Sequence, residues 1–284
     1  MPRMPPSLEM TDLQLGADEV KRLHRILDGS TGVDLSYYTT SFLTRRIAVR
    51  MRQLGITVST AYLTRLETDP AERIALVTAL TINVTEFFRD PGVYEALRLA
   101  AIPALLKSAP RQLTAWSAGC ATGEEPYTVA MLLDEALANR PGFSYIVHAS
   151  DSNPRQLELA QTATYPVKST AHVPARYLNR YFSPAQDGLV AISPALKANV
   201  RFLRHDLSTG AAAPAKSLDL ILCRNVMIYF SPEAKETMLR AFQRMLAPEG
   251  FLVLGGAEVI LRSDCLLPFD AVNKIYRAAK AANG

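Results

Sequence analysis

Apolar positions recur at helical spacing over roughly the first 80 residues and then change character. Leu43, Ile47, Met51 and Leu54 fall on one helix face, which leaves Arg45, Arg46, Arg50 and Arg52 on the other. This predicts an amphipathic helix over 37–54, ended by Gly55. A second helix is expected over Ser59–Glu67, and a third over Pro70–Leu80, entered through Asp69 with proline in the first turn. No strand candidate precedes Ala101. From Gln112 onward short apolar runs alternate with helical patterns: "LTAWSA", "YIVHASD", "VRFLRHDL", "LDLILCRN" and "GFLVLGG". A helix over "PEAKETMLRAFQRML" precedes the last of these and ends in a Pro-Glu-Gly stop. Buried strands alternating with helices predict a Rossmann-like, doubly wound, mostly parallel α/β sheet. The expected division is an all-α domain over 1–80 and a sheet domain over 81–284. One stretch, 164–199, breaks the alternation with four prolines and a turn-like "SPAQDG" between "RYF" and "LVAI". It reads as a small antiparallel hairpin inserted into the sheet domain.

Composition narrows the setting. The N-terminus lacks the apolar core of a signal peptide, and no run approaches the roughly 18 apolar residues of a membrane span, so a soluble cytoplasmic protein is expected. Cys120, Cys223 and Cys265 are too far apart for C-x-x-C pairs and have no histidines at ligand spacing, which predicts reduced thiols and no metal. The net charge of +4 is mild, but its distribution is uneven: Leu35 to Leu66 contains no acidic residue and five arginines. Nucleic acid is disfavoured as a partner, because the chain lacks interleaved aromatics and a large positive charge.

The candidate chemistry lies in "WSAGCATGEEPY", residues 116–127. A pyrophosphate loop spaces its glycines G-x-G-x-x-G and turns backbone N–H groups toward negative charge. Here Gly119 and Gly123 are followed at once by Glu124 and Glu125, which would repel a pyrophosphate. A structural reading makes Thr122 and Glu125 a capping box with Pro126 in the first turn. A functional reading takes in Asp151, which closes the second strand where such sheets hydrogen-bond a ribose. A glycine turn, an acidic loop and a strand-end aspartate suit a nucleoside with a cationic head and no phosphate, and S-adenosylmethionine is such a ligand. Asp206, closing the third strand, is placed for the adenine end; by itself it would read as a cap or turn residue.

"TINVTEFFRD", "WSAGCATGEEPY", "ASDSN" and "LILCRNVMIYF", in that order and spacing, resemble the CheR family of bacterial chemotaxis receptor methyltransferases. The resemblance runs from about Asp18 to the C-terminal "NKIYRA". It implies methyl transfer from S-adenosylmethionine to glutamate side chains on the cytoplasmic helices of chemoreceptors, with S-adenosylhomocysteine as product. It also implies a cofactor site lined by Asn83, Thr85, Arg89, Gly119, Glu125, Asp151, Asp206, Leu207, Arg224 and Asn225, with Arg89 and Tyr229 at the reaction centre. Asp206 departs from the Asn-Leu usual in the family but keeps an acceptor. Glu125 is the glutamate expected at the cofactor, while Glu124 favours the helix N-terminus.

The arginine face of 37–54 gains a use in this context, since glutamate-rich receptor helices would be drawn to Arg45, Arg46, Arg50 and Arg52. The "SPAQDG" turn is shorter than in family members that bind a receptor's C-terminal tether peptide and lacks their glycine-rich tip, so tether-independent action is expected; the protein is also expected to be a monomer. Two other readings stay open: a methyltransferase with a different acceptor, although "RNVMIY" lacks the prolines of a D/N-P-P-Y/F motif, and a non-catalytic cofactor-binding regulator.

Overall fold

The structure is a computed structural model that describes residues 13–31, 35–80, 85–108, 111–207, 214–258, 260 and 266–278. The chain divides into two compact units, Met1–Ile82 with Tyr229–Ala234, and Asn83–Ile228 with Lys235–Gly284.

The first unit is helical, with α1 (Ala17–Thr31), α2 (Thr40–Leu54), α3 (Ser59–Thr68) and α4 (Pro70–Leu80). Thr39 caps α2 by accepting the Phe42 amide at 3.3 Å, and Gly55, at φ 68°, ends it in the left-handed conformation that glycine adopts without strain. Asp69 accepts the Ala71 and Glu72 amides and so opens α4, as its position before Pro70 predicts. Leu43, Ile47 and Met51 are buried in the core of this unit and Leu54 packs at its margin. The opposite face of α2 is not uniformly solvated. Arg50 forks onto the buried Glu72 of α4 at 2.9 and 2.6 Å, and the Tyr62 hydroxyl of α3 donates to the same carboxylate at 2.8 Å. One carboxylate therefore ties three helices. Burial would raise the Glu72 carboxyl, but its bonds to Arg50 and Tyr62 outweigh burial and hold it below the ordinary value.

Tyr229–Ala234 clusters with these helices through backbone bonds from Thr39 N to the Tyr229 carbonyl and from Ser231 N to the Tyr37 carbonyl. The Phe42 and Tyr229 ring centroids lie 4.7 Å apart.

The second unit opens with α5 (Pro91–Ala96) and α6 (Ile102–Ser108) and is built on a seven-stranded sheet. Its strands are β1 (Gln112–Ala118), β2 (Ser144–Asp151), β5 (Val200–Arg204), β6 (Leu218–Cys223), β7 (Leu246–Leu254), β8 (Leu266–Asp270) and β9 (Ile275–Ala278), in the order β5-β2-β1-β6-β7-β9-β8. The first five are the predicted strands and pair in parallel; β9 and β8 add an antiparallel edge that periodicity did not predict. Pro268 inside β8 masks it, and proline is tolerated there because the strand lies at the sheet edge. The helix expected before β7 ends at Met245, and the Pro-Glu-Gly that follows it lies inside β7, where the register against β6 shifts and Glu249 takes φ 69°.

Successive residues of a strand face opposite sides of a sheet, and β1 shows which helix covers which side. Trp116 meets Phe242 of α11 (Pro232–Met245), with ring centroids 5.6 Å apart, whereas Ser117 meets Glu125 at the start of α7 (Glu124–Leu137). The chain leaves β1 for β2 and β5 on one side and returns to β6 on the other, so the order reverses at β1/β6. In an open α/β sheet the crevice at that reversal is where a ligand binds.

Between α8 (Pro154–Thr162) and β5 lies the inserted segment, in which β3 (Thr164–Pro166) pairs antiparallel with β4 (Leu189–Ala191) and α10 (Pro194–Lys197) leads on to β5. "RYF" is not a strand here: most of it belongs to α9 (Ala175–Tyr181), whose Arg-Tyr pairs repeat four residues apart. Tyr177 hydrogen-bonds Glu135, and Tyr181 donates to Asp134 at 2.8 Å. Arg176 pairs with Glu135 at 3.5 Å and Arg180 with Asp134 at 2.9 Å, each guanidinium lying over the neighbouring tyrosine ring. The acidic end of α7 thus holds α9 by two rungs. Beyond it, Gln186 and Leu189 exchange backbone bonds around Asp187 (φ 50°) and Gly188 (φ 75°), the geometry of a two-residue type I′ turn.

Candidate functional site

The turn after β1 is shaped by backbone conformation before any ligand is considered. Gly119, Ala121 and Gly123 have φ of 81°, 46° and 95°. The Gly119 and Cys120 amides both donate to the Ser150 carbonyl at 2.8 Å, which stitches the turn to the end of β2. A Cβ on Gly119 would lie 2.5 Å from Val226 Cγ2, and one on Gly123 would lie 2.9 Å from Ala160 Cβ and the Tyr165 hydroxyl. Both positions therefore need glycine for space as well as for conformation.

Asp151, at the end of β2, is buried and grips the turn from below. Its Oδ2 accepts the Ala121 amide and its Oδ1 the Asn153 amide, each at 2.9 Å. Burial pushes its carboxyl above the ordinary value, the amides of Asn153 and Ala121 oppose this, and the charge of Asp206 adds to the rise. Asp206 belongs to the same corner, because the His205 amide donates to the Asp151 carbonyl at 3.0 Å. Asp206 and Leu207 are half-buried there.

The two glutamates part company. Glu124 is buried and accepts the Thr122 hydroxyl at 2.6 Å; Glu125 accepts the Ser117 hydroxyl at 2.7 Å and faces Arg224 at 3.5 Å. The capping box expected between Thr122 and Glu125 does not form, and Gly123 caps α7 without a side-chain bond. Glu125 is drawn instead to a buried cation. Burial raises both carboxyls, and for Glu125 the charge of Arg224 and the bond from Ser117 work against that rise.

Arg224, at the end of β6, joins separate parts of the chain. Nη1 donates to the Tyr94 hydroxyl at 3.0 Å, while Nη2 donates to Asp90 Oδ2 at 2.6 Å and to the Arg89 carbonyl at 3.0 Å. Its guanidinium also lies 5.3 Å from the Tyr94 ring centroid. Burial alone would lower the Arg224 value, and Tyr94, Glu125 and Asp90 more than reverse it. The segment that it holds is unusual: Phe88 and Asp90, on either side of Arg89, take φ of 55° and 58°. Asn225, next after Arg224, is likewise at φ 60°. Left-handed non-glycine residues cost roughly 1–3 kcal/mol each and persist where surrounding bonds fix them.

The structure thus brings Arg89, Gly119, Glu125, Asp151, Asp206, Arg224 and Asn225 to the carboxyl ends of β1, β2, β5 and β6. Thr85 is half-buried at the start of the segment leading to Arg89, and Asn83 lies outside the described residues. Tyr229, Arg45, Arg46, Arg50 and Arg52 belong to the helical unit. Three participants escaped the sequence reading. Ser117 is an ordinary strand residue, Tyr94 reads as core, and Glu258 follows a glycine pair with no motif of its own; only a count of hydrogen-bond partners finds them.

Among the described residues no group of three or more His, Cys, Asp and Glu side chains could hold a metal ion, and no helix is long and apolar enough to cross a membrane. The donor set has its own bearing. Buried carboxylates at the reversal point favour hydroxyl groups and positive charge and oppose phosphate, so these residues fit S-adenosylmethionine.

Residues 18–81 match the CheR methyltransferase all-alpha domain, and residues 83–271 match the CheR methyltransferase SAM binding domain. The chemotaxis protein methyltransferase of Klebsiella aerogenes is 35% identical over 251 residues, covering 87% of this chain and 84% of that protein. That of Escherichia coli (strain K12) is 32% identical over 260 residues, covering 88% of each. An uncharacterized 104.1 kDa protein of Rhodobacter capsulatus is 33% identical over 268 residues; these cover 93% of this chain, which spans only 28% of that larger protein. With residues 18–81 and 83–271 matching the two domains, and with the glycine turn, its acidic partners and the Arg224 fork at the sheet's reversal point, the chain belongs to the CheR family of S-adenosylmethionine-dependent methyltransferases.

Proposed function

We propose that the chain is a cytoplasmic, monomeric protein-glutamate O-methyltransferase acting on the cytoplasmic helices of chemoreceptors. The observation that supports this best is the Arg224 fork, which fixes the backbone of Arg89 beside the start of α7. The backbone from which the Arg89 side chain projects is thereby set, and that cation orients either the acceptor carboxylate or the cofactor's own carboxylate. When bound, S-adenosylmethionine supplies an electrophilic methyl: the carbon–sulfur bond breaks with its electron pair left on sulfur, and a carboxylate oxygen forms the ester bond.

The chain's residues have the remaining tasks. A glutamate acceptor, with an ordinary pKa of about 4.3, arrives ionised at neutral pH, so no side chain need remove a proton. What is required is an in-line approach and a dry site. Asp151 and Asp206 offer acceptors to the ribose and adenine ends, and Glu125 offers negative charge toward the cationic head. Gly119, Leu207 and Asn225 shape the walls, and Asn83 and Thr85 line the site from the segment leading to Arg89. Tyr229 gives the acceptor one hydrogen bond or gives the sulfonium its ring. Arg45, Arg46 and Arg52 on α2 draw in the acidic receptor helices, while Arg50 serves mainly to neutralise Glu72. The tip of the insertion is a two-residue turn, short and without the glycine-rich tip of tether-binding family members, which supports action without a tether peptide.

The test is transfer of labelled methyl from S-adenosylmethionine to receptor cytoplasmic fragments, scored as base-labile ester. Base-stable label, or label on another acceptor, would reject the glutamate reading, and submicromolar binding of a tether peptide by calorimetry would reject tether independence.

A further inference from the structure

Glu258, two residues after Gly256 on the loop leaving β7, is buried and directs its whole carboxylate at backbone amides. Oε1 accepts Val226 N at 3.0 Å and Met227 N at 2.7 Å, while Oε2 accepts Asn225 N at 3.1 Å and Gly255 N at 2.6 Å. Three consecutive amides of the turn after β6 thus converge on one anion that also binds the end of β7. Arg224 anchors the start of this turn through its side chain, but Asn225 is in the left-handed region, and a run of amides turned to one side needs a concentrated negative acceptor. The clamp also has a direction. Val226 carries the side chain that closes on Gly119, with Cγ2 only 2.5 Å from where a Cβ would stand, so the height of the 225–227 turn sets how closely β6 approaches the glycine turn. Gly255 is confined by the same arrangement, since a Cβ there would lie 2.8 Å from both Asn225 N and Glu258 Oε2.

We infer that Glu258 is a positioning residue for the cofactor site: it presets the turn carrying Arg224 and Asn225 against the Gly119 turn, acting through backbone amides rather than by touching the ligand. Glutamine cannot replace it. The amide would retain one acceptor oxygen and turn an NH2 group toward two backbone donors. Aspartate keeps the charge but is one methylene shorter, so it restores part of the clamp. The inference rests on the cofactor lying at the β1/β6 reversal.

The experiment is calorimetric titration of the full chain with S-adenosylhomocysteine, comparing wild type, Glu258→Gln and Glu258→Asp. The expected result is a stoichiometry near one for all three. Kd should rise at least about tenfold in Glu258→Gln and by less in Glu258→Asp. A reduced stoichiometry with unchanged Kd would mean that Glu258 serves folding alone and would overturn the inference. If wild type itself fails to bind, the cofactor reading falls instead, so the two failures are distinct. Hydrogen exchange on the wild type covers the case in which the variants do not fold: amides 225–227 and 255 should exchange at least about tenfold more slowly with S-adenosylhomocysteine bound. Unchanged exchange there would overturn the inference equally.

Discussion

Arg224 donates to the Asp90 carboxylate at 2.6 Å, a contact between residues 134 positions apart in the chain. The same guanidinium reaches Tyr94, the Arg89 carbonyl and Glu125, so a single side chain at the end of β6 sets the relation between two turns and a helix start. Lysine would keep the charge but not the fork. Arg224→Lys should therefore lower kcat/KM for methyl transfer by about 100-fold, the scale on which small misplacements of a reacting geometry act. Arg224→Ala should also destabilise the sheet unit by about 3 kcal/mol, because Glu125, whose side chain is only 12% exposed, is left without its cation. Steady-state kinetics and urea unfolding measure the two effects, and a lysine variant with wild-type kcat/KM would reject the role.

Burial raises the Glu125 carboxyl above its ordinary value. A carboxyl raised on folding is less favourable when ionised, and the ligand-free protein recovers that loss as pH falls through the raised value. A cationic ligand has the opposite preference. Affinity for S-adenosylmethionine should therefore decline as pH falls from neutral into the weakly acidic range, starting above the ordinary carboxylate value. Glu125→Gln should weaken binding by about tenfold at neutral pH and flatten the profile, leaving the part that belongs to Asp151, which burial also raises. Glu124→Gln should leave both affinity and profile in place. Calorimetry across pH decides, and equal losses for the two glutamates would erase the distinction between them.

In the helical unit the sign is reversed. Glu72 is held below its ordinary value by Arg50 and Tyr62, so its contribution is fully present above the unfolded value near pH 4.3 and is lost as pH falls through the lower folded value. Glu72→Gln should reduce stability by about 2 kcal/mol at neutral pH and remove this part of the acid sensitivity. Urea unfolding at neutral and acid pH, followed by circular dichroism, tests it; a variant that loses stability with acid as steeply as wild type would count against the network.

Arg45 and Arg52 are exposed on α2, and Arg46 lies 5.3 Å from the Phe42 ring centroid. Reversing Arg45 and Arg52 to glutamate should raise KM for a receptor fragment by about tenfold at low ionic strength and leave kcat unchanged, with the difference shrinking as salt screens it. Binding of S-adenosylhomocysteine by the same variant should match wild type. A KM insensitive to both charge and salt would remove α2 from receptor recognition.

Much of this was legible because periodicity reports burial. The helical unit and all five parallel strands follow from apolar spacing, and Gly119, Gly123 and Asp151 follow from the demands of a turn at a strand end. What stayed hidden depends on partners distant in sequence. Arg50 sits on a polar face by spacing yet is claimed by a buried carboxylate on another helix. Thr122 and Glu125 have the spacing of a capping box, but Arg224, supplied by a strand roughly a hundred residues later, competes for the glutamate. Pro268 argues against a strand unless its edge position is known, and the clamp by Glu258 uses backbone amides, which leave no trace in side-chain patterns.

The two Arg-Tyr rungs that hold α9 to α7 leave the insertion anchored on two sides. Arg176, Tyr177, Arg180 and Tyr181 are tied to Asp134 and Glu135, and the Gln186–Leu189 turn returns the chain as β4, which pairs with β3. Tyr165 of β3 in turn donates to the Thr122 carbonyl at 2.8 Å, inside the turn after β1. The insertion is thus a brace rather than an appendage, and a change in its strands is carried by one hydroxyl to the glycine turn.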